Sequence, residues 1–276
     1  MNELVVVIGA GGIGEAIARR QGSGRSLLLA DFKDDTLLAA ATVLRAGGHT
    51  VTTQQVDVSS RESVSSLATT AAQLGRVVQV AHTAGLAPAQ ASPAEILAVD
   101  LLGTALVLEE FGRTIAAGGA GVVISSNAGY TMPSLEPSQD AALARTPCDE
   151  LLALPFLGPE AIVSSARAYA MSKHANHVRV QAASLDWGDR GARVNSISPG
   201  IISTPMADAE MASEDGQMLR RMIEVSASAR VGTTDEIAAA AAYLLGADAT
   251  FITGADLLID GGVIAALRAG RLQLSG

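Results

Sequence analysis

A chain of 276 residues with 49% hydrophobic residues has enough apolar material for a sizeable core, and α/β folds of this length commonly form one domain. Aromatics are only 3%, so the core has to be built from Ala, Val, Leu and Ile, as in buried parallel strands covered by helices. A net charge of −9, a pI near 4.9 and the lack of any basic cluster exclude the usual electrostatic footprint of a nucleic-acid-binding protein.

Leu4-Val5-Val6-Val7-Ile8 is a short β-branched run, read as a strand buried on both faces. Gly9-Ala10-Gly11-Gly12-Ile13-Gly14 follows and leads into a helix from Glu15. Strand, GxGxxG and helix in that order are the context a dinucleotide fingerprint requires. Glycines let the backbone approach a pyrophosphate, and the first N–H groups of the helix turn positive charge towards it. Gly9, Gly12, Ile13 and Gly14 are therefore the first candidate cofactor contacts. A second strand, Ser26 to Ala30, ends in Asp31, 20 residues beyond Gly11. A carboxylate there accepts bonds from ribose hydroxyls and repels a 2′-phosphate, which favours NAD(H) over NADP(H). The ammonium of Lys33 nearby pulls the other way.

Helix 35–46, strand 50–56, helix 60–74 and strand 77–82 continue the alternation. The third strand runs into Asp57-Val58 and the fourth into His82-Thr83-Ala84-Gly85, and strand carboxyl ends are where an open α/β sheet places its ligands. A long helix is predicted from about Pro93 to Ala117, then strand Gly121 to Ser125 running into Ser126-Asn127-Ala128-Gly129. After an irregular stretch comes a helix carrying Tyr169 and ending near Trp187-Gly188. Strand Arg193 to Ile197 meets Ser198-Pro199-Gly200, helical segments are predicted at 206–225 and 234–245, and a last strand, Leu257 to Ile259, ends in Asp260-Gly261-Gly262. The alternation predicts a Rossmann-type doubly wound parallel sheet of about seven strands flanked by helices, with residues 1–276 as a single domain.

Tyr169 and Lys173 stand four residues apart, on one helical face. An ammonium beside a phenol favours phenolate and draws its pKa from about 10 towards the working pH, so the pair suits proton exchange with an alcohol. With three tyrosines and two lysines in the chain, composition alone would give this spacing about 2% of the time. Ser126 by itself reads as a turn residue or cap; beside Tyr169 and Lys173 it becomes a catalytic candidate.

With these pieces in order, the chain resembles the short-chain dehydrogenase/reductase family over about residues 4–265. The motifs that carry the resemblance are the glycine turn, Asp57-Val58, Ala84-Gly85, Ser126-x-x-Gly129, Tyr169-x-x-x-Lys173, Pro199-Gly200-x-Ile202-x-Thr204 and Asp260-Gly261-Gly262. The resemblance implies Tyr169 as general acid/base, Ser126 as the group that orients the substrate oxygen, and Lys173 as holder of the nicotinamide ribose. It also implies cofactor contacts at Ala84 and Gly85, at Asp57 and Val58 beside the adenine, and at Pro199, Gly200, Ile202 and Thr204 towards the carboxamide. A homo-oligomer, tetramer or dimer, is a further implication, built from the long helix and the Tyr169 helix, whose small faces such as Ala182-Ala183 permit it.

Four departures from the family pattern stand out. Gly9 and Gly12 have two residues between them where the family usually has three. His82-Thr83 replaces an asparagine pair. Asp100 stands where the long helix usually carries an asparagine that relays protons through a water on its main-chain carbonyl; it reads equally as a relay that alters Lys173 or as a polar helix residue with an ordinary salt bridge. Finally, 43 positions separate Ser126 from Tyr169, far more than usual, which makes about 131–165 an insertion like that of 3α-hydroxysteroid dehydrogenase/carbonyl reductase. Its Leu151, Leu154, Phe156 and Leu157 suit either a lid over an apolar substrate or a subunit contact. Met206, Met211, Met218 and Met222 read as core filler or as a second lid.

The expectation is an NAD(H)-dependent oxidoreductase that interconverts a secondary alcohol and a ketone of apolar character. The rival is a catalytically idle NAD-binding regulator or scaffold of the same fold, which would be expected to lack Ser126, Tyr169 or Lys173. A sugar-nucleotide epimerase or dehydratase would need a substrate domain after Asp260-Gly261-Gly262. His174 and His177 lie one turn apart with no third ligand beside them, so no catalytic metal is expected. Cys148 is alone, which excludes an internal disulfide and fits a reducing cytoplasm. With no leader-like start and no uninterrupted apolar run of spanning length, a soluble cytoplasmic protein without membrane partners is expected.

Overall fold

Successive residues of a strand point to opposite faces of its sheet, and the first strand of this chain is buried on both. A computed structural model describes residues 2–212 and 216–272. In β1 (Glu3–Ile8), Leu4 to Ile8 are at most 1% exposed. Val5 and Val7 pack with α1 (Gly12–Gln21), α2 (Asp34–Ala46) and α11 (Thr234–Leu245). Leu4, Val6 and Ile8 pack on the other side with α3 (Arg61–Leu74), α5 (Thr104–Thr114) and α8 (Ser165–Asp189). At about 1.5–3 kcal/mol for each fully buried aliphatic side chain, this double burial sets the three-layer architecture.

The other strands are β2 (Ser26–Asp31), β3 (Thr50–Gln55), β4 (Arg76–His82), β5 (Ala120–Ile124), β6 (Arg193–Pro199) and β7 (Asp256–Ile259). All seven are parallel in the order β3-β2-β1-β4-β5-β6-β7. The strand order reverses between β1 and β4, so a crevice opens beyond their carboxyl ends.

The predicted long helix is present in three parts: α4 (Pro93–Ile96), a π-helical segment (Leu97–Gly103) and α5. Ser92 and Glu95 cap its start reciprocally. It stops at Thr114, short of Ala117, because Ile115 turns to an extended backbone ahead of the Gly118-Gly119 turn. The predicted 206–225 helix is two helices, α9 (Pro205–Met211) and α10 (Gly216–Val225), while 213–215 lie outside the described residues. Its four methionines are half-buried, so none is core filler. A short α12 (Val263–Arg268), which the sequence did not reveal, follows the last glycines.

The stretch before Tyr169 is less irregular than the sequence implies. It forms α6 (Pro137–Arg145), started by Pro137 with a Glu136/Gln139 cap, then α7 (Cys148–Leu151) and a 3₁₀ turn (Pro155–Leu157). Leu143, Leu151, Leu157 and Ile162 are at most 4% exposed and join the core between α5 and α8. Polar links fasten it from outside. Arg179 on α8 donates to the carbonyls of Leu143 (2.7 Å) and Thr146 (3.2 Å). Arg61 on α3 reaches Asp149 and Glu109, and His174 Nε2 meets Asp140 Oδ1 at 2.7 Å.

Trp187, 1% exposed, locks α8 to the sheet, its Nε1 donating to the Leu108 carbonyl at 3.1 Å. Gly112 and Gly121 leave its space: a Cβ on either would come within 2.8 Å of the indole. Trp187→Ala is expected to cost about 3–5 kcal/mol through cavity formation, read as a lower urea midpoint followed by circular dichroism.

Candidate active site

The glycine turn is shaped by two close backbone approaches. Gly9 has φ +99°, and a Cβ on it would lie 2.5 Å from Ala84 N and Thr83 Oγ1. A Cβ on Gly14 would lie 1.8 Å from the Gly9 carbonyl oxygen. The turn is therefore pressed against the end of β4, where Thr83 Oγ1 donates to Gly9 O at 2.8 Å and the Thr83 and Ala84 N–H groups donate to Ile8 O. Gly11, by contrast, has open space where a Cβ would project, at the cap of α1. Asp31 Oδ2 accepts from Ala10 N at 2.7 Å and Oδ1 from Lys33 N at 2.9 Å, which sets the carboxylate beside the turn.

Thr204 caps α9, accepting from Ala207 N at 3.2 Å, and its methyl would be 3.4 Å from a Cβ on Gly12. The segment after β6 thus returns to the mouth of the glycine turn, with Gly200 N donating to Ile259 O and Ile202 bridged to Gly232. Asp57 turns its carboxylate into its own loop, accepting from Ser59 N (2.9 Å) and Ser59 Oγ (2.6 Å). Val58, 5% exposed, packs against Gly103 of the π segment.

Ser126, Tyr169 and Lys173 come together despite the long segment between them. Ser126 caps the turn after β5, its Oγ accepting from Ala128 N at 3.1 Å, and its hydroxyl is near enough to Tyr169 to favour the phenolate. Ser125 Oγ donates to the Lys173 carbonyl at 2.9 Å, and Gly129 packs onto the α8 backbone at Lys173, so the turn lies flat on the helix. Lys173 Nζ stands 5.2 Å from the centre of the Tyr169 ring.

Behind this cluster lies the partner of Lys173. Its Nζ is 2.9 Å from Asp100 Oδ2, in an ion pair whose side chains are 5% and 0% exposed. Asp100 Oδ1 accepts from Leu86 N at 2.8 Å. Thr104 Oγ1 donates to the Asp100 carbonyl at 2.8 Å, so it accepts from His82 Nε2–H at 3.2 Å.

Burial pushes the Asp100 carboxyl above its usual range, against the pull of Lys173 and the Leu86 N–H. Burial alone would lower Lys173, but Asp100 and Tyr169 hold it above its ordinary value. The net shift of Tyr169 is upward, which corrects the expectation of an acidified phenol. Although the residue is only half-buried, loss of water around it raises the pKa most, Lys173 lowers it, and Asp100 raises it again.

Thr83, His82, Thr104 and Ser125 were not singled out from sequence as site residues. The signal for the first two was there, in the unusual His82-Thr83 at a strand end. Thr104 and Ser125 look in sequence like ordinary helix and strand-end residues. Both histidines of α8 are engaged elsewhere: His174 with Asp140, and His177 Nε2 with Ser198 Oγ at 2.8 Å. Among the described residues no group of three or more His, Cys, Asp or Glu is placed to hold a metal ion, and no helix is long and apolar enough to cross a membrane.

A doubly wound parallel sheet with a glycine turn at its switch point defines a Rossmann-type fold. A profile described as short chain dehydrogenase matches residues 3–138, and one described as enoyl-(acyl carrier protein) reductase matches 139–264. The chain is 45% identical over 264 residues to a short-chain dehydrogenase/reductase of Alternaria brassicicola, covering 95% of this chain and 96% of that one. It is 29% identical to a galactitol 2-dehydrogenase (L-tagatose-forming) of Cereibacter sphaeroides, covering 93% and 92%. A solved short-chain dehydrogenase/reductase from Serratia marcescens BCRC 10948 superposes with a TM-score of 0.72 at 25% identity, covering 95% of this chain and 98% of that one. The chain belongs to the short-chain dehydrogenase/reductase family, whose members are NAD(P)-binding oxidoreductases acting on alcohols and ketones.

His82 gives the site a measurable acid signature. Burial first, and the Lys173 ammonium second, push its pKa down to about 3. An unfolded imidazole titrates near 6.5. Between these values the unfolded chain takes up a proton that the folded chain refuses, so stability falls as the pH falls, by up to ~1.4 kcal/mol per unit. Urea midpoints measured from pH 7 downward are expected to fall more steeply for the wild type than for His82→Asn.

Proposed function

We propose that this protein is an NAD(H)-dependent oxidoreductase interconverting a secondary alcohol and a ketone, with Tyr169 as general acid/base. The observation that carries the reading is the joining of Ser126, Tyr169 and Lys173 at the carboxyl edge of the sheet that also bears the glycine turn. Relatives named galactitol 2-dehydrogenase, D-threitol dehydrogenase and levodione reductase support an alcohol–ketone reaction.

The residues fit a dinucleotide. Gly9 and Gly14 allow a turn that no side chain would permit, and Gly11 faces open space at the start of α1, where backbone N–H groups suit a pyrophosphate. Asp31 stands where a ribose would be held, and Ala84, Gly85, Val58, Pro199, Gly200, Ile202 and Thr204 continue the cradle. When bound, the nicotinamide supplies or accepts the hydride at the carbonyl carbon. Ser126 orients the substrate oxygen, Tyr169 gives or takes its proton, and Lys173 holds the ribose and tunes the phenol. Half-exposed Leu86, Met132 and Met206 on segments leaving the site favour an apolar substrate. The idle-scaffold reading has no support in an intact Ser126–Tyr169–Lys173 set.

The same reading takes residues 1–276 as one oxidoreductase domain with 131–165 inserted, acting in the cytoplasm as a homo-oligomer. Because α6 and α7 lie on α8 beside Arg179, a tetramer built on α5 and α8 would have to use the face left beside Ala182, Ala183 and Leu185.

Tyr169→Phe is expected to bind NADH normally but to lose orders of magnitude in kcat for ketone reduction; undiminished turnover would end the mechanism. Comparing kcat/KM for the two cofactors tests Asp31: NADH is expected to be preferred in the wild type, and Asp31→Ala to lose that preference.

A further inference from the structure

Asp100 departs from the family pattern in what it offers Lys173. Its main-chain carbonyl is occupied by the Thr104 hydroxyl at 2.8 Å, and Thr104 is tied in turn to His82. It is the carboxylate that addresses Lys173, at 2.9 Å, while the Leu86 N–H holds its other oxygen at 2.8 Å. Gly85 closes the pair on the crevice side. A Cβ there would lie 3.2 Å from Asp100 Oδ2 and 3.3 Å from Lys173 Nζ, so the strand end packs straight onto the ion pair.

An unbalanced ammonium 5.2 Å from the Tyr169 ring would favour phenolate. An ammonium matched by a buried carboxylate does so far less, because Tyr169 then faces a neutral pair. The other groups around the cluster leave that balance in place. His82 from β4 is neutral, Glu210 from α9 adds negative charge on the Tyr169 side, and burial keeps His177, one turn further along α8, below its usual pKa.

We propose that Asp100 is a positioning residue that fixes Lys173 and offsets its charge, keeping Tyr169 as the phenol through the neutral range and poising the site for ketone reduction. The inference rests on Tyr169 being the proton-transfer group. In reduction the ketone carbon gains a hydride from the reduced nicotinamide and its oxygen gains the Tyr169 proton, which solvent later restores; oxidation reverses both. The alcohol–ketone equilibrium belongs to the reactants. Asp100 sets the pH at which each direction runs: reduction, which needs the phenol, near neutrality, and oxidation, which needs the phenolate, in the alkaline range.

The test is the ultraviolet titration of tyrosinate in the full-length wild type and in Asp100→Asn, each with Tyr169→Phe added as the blank. With only three tyrosines in the chain, the difference isolates Tyr169. Asp100→Asn is expected to ionise Tyr169 about one pH unit or more lower than the wild type. With NAD and any alcohol the enzyme turns over, the rising limb of the pH–rate profile for oxidation should move the same way, while NADH binding changes less than about threefold. Asp100→Ser replaces Asp100→Asn if circular dichroism shows the latter unfolded. An unmoved Tyr169 titration in a folded variant overturns the proposal. A moved titration in a protein that reduces no ketone would uphold the charge balance and overturn the assigned reaction instead.

Discussion

The ammonium of Lys173 sits almost out of reach of water, and a buried charge is tolerable only with a partner at hand. That requirement propagates outward. Asp100 must follow Lys173 into the interior, and Leu86 must turn its N–H to the second carboxylate oxygen. The helix that carries Asp100 widens into π turns at that point, a distortion that recurs at functional positions. His82, packed behind, stays neutral because burial, and after it the Lys173 ammonium, disfavours a second cation there. The strand ends, the π segment and α8 meet at this pair, which adds to the apolar core and to the Ser125 and Trp187 hydrogen bonds that also hold α8 in place. Removing either partner of such a pair costs about 3–5 kcal/mol as a rule, a large share of a domain's net stability.

α8 is also where the long segment between Ser126 and Tyr169 is made harmless to the chemistry. Part of its apolar material is turned inward, with Leu143, Leu151 and Leu157 in the core and Leu154 and Phe156 half-buried, while Leu152 and Val163 face outward. Arg179, His174, Arg61 and Glu109 hold its outer side. A segment tied at so many points cannot swing as one body.

Much of this was legible in the residue order. Runs such as Leu4 to Ile8 have no polar face, so only a strand covered on both sides can use them, and GxGxxG directly after one admits few alternatives. The Tyr169–Lys173 spacing likewise fixes a shared helical face. What the sequence hid depends on contacts between distant residues. Asp100 looks the same as any helical aspartate until the fold sets it against Lys173, and the upward shift of Tyr169 comes first from burial and only then from that carboxylate. Local spacing showed the ammonium that lowers the phenol's pKa, but neither the burial that raises it nor the carboxylate that cancels part of the ammonium. The helices between 131 and 165 were missed because α6 buries little besides Leu143, leaving no periodic stripe to read.

Trp187 is the chain's one indole. It lies between Gly112 of α5, Gly121 of β5 and the body of α8, hydrogen-bonded to Leu108. Fluorescence excited at the red edge of the aromatic absorption, where indole alone absorbs, therefore comes from a single point at the root of the helix that bears Tyr169 and Lys173. Loosening at the surface leaves that point dry, whereas parting of α8 from the sheet floods it and reddens the emission. The molecule carries a built-in optical gauge of whether its chemistry-bearing helix is seated.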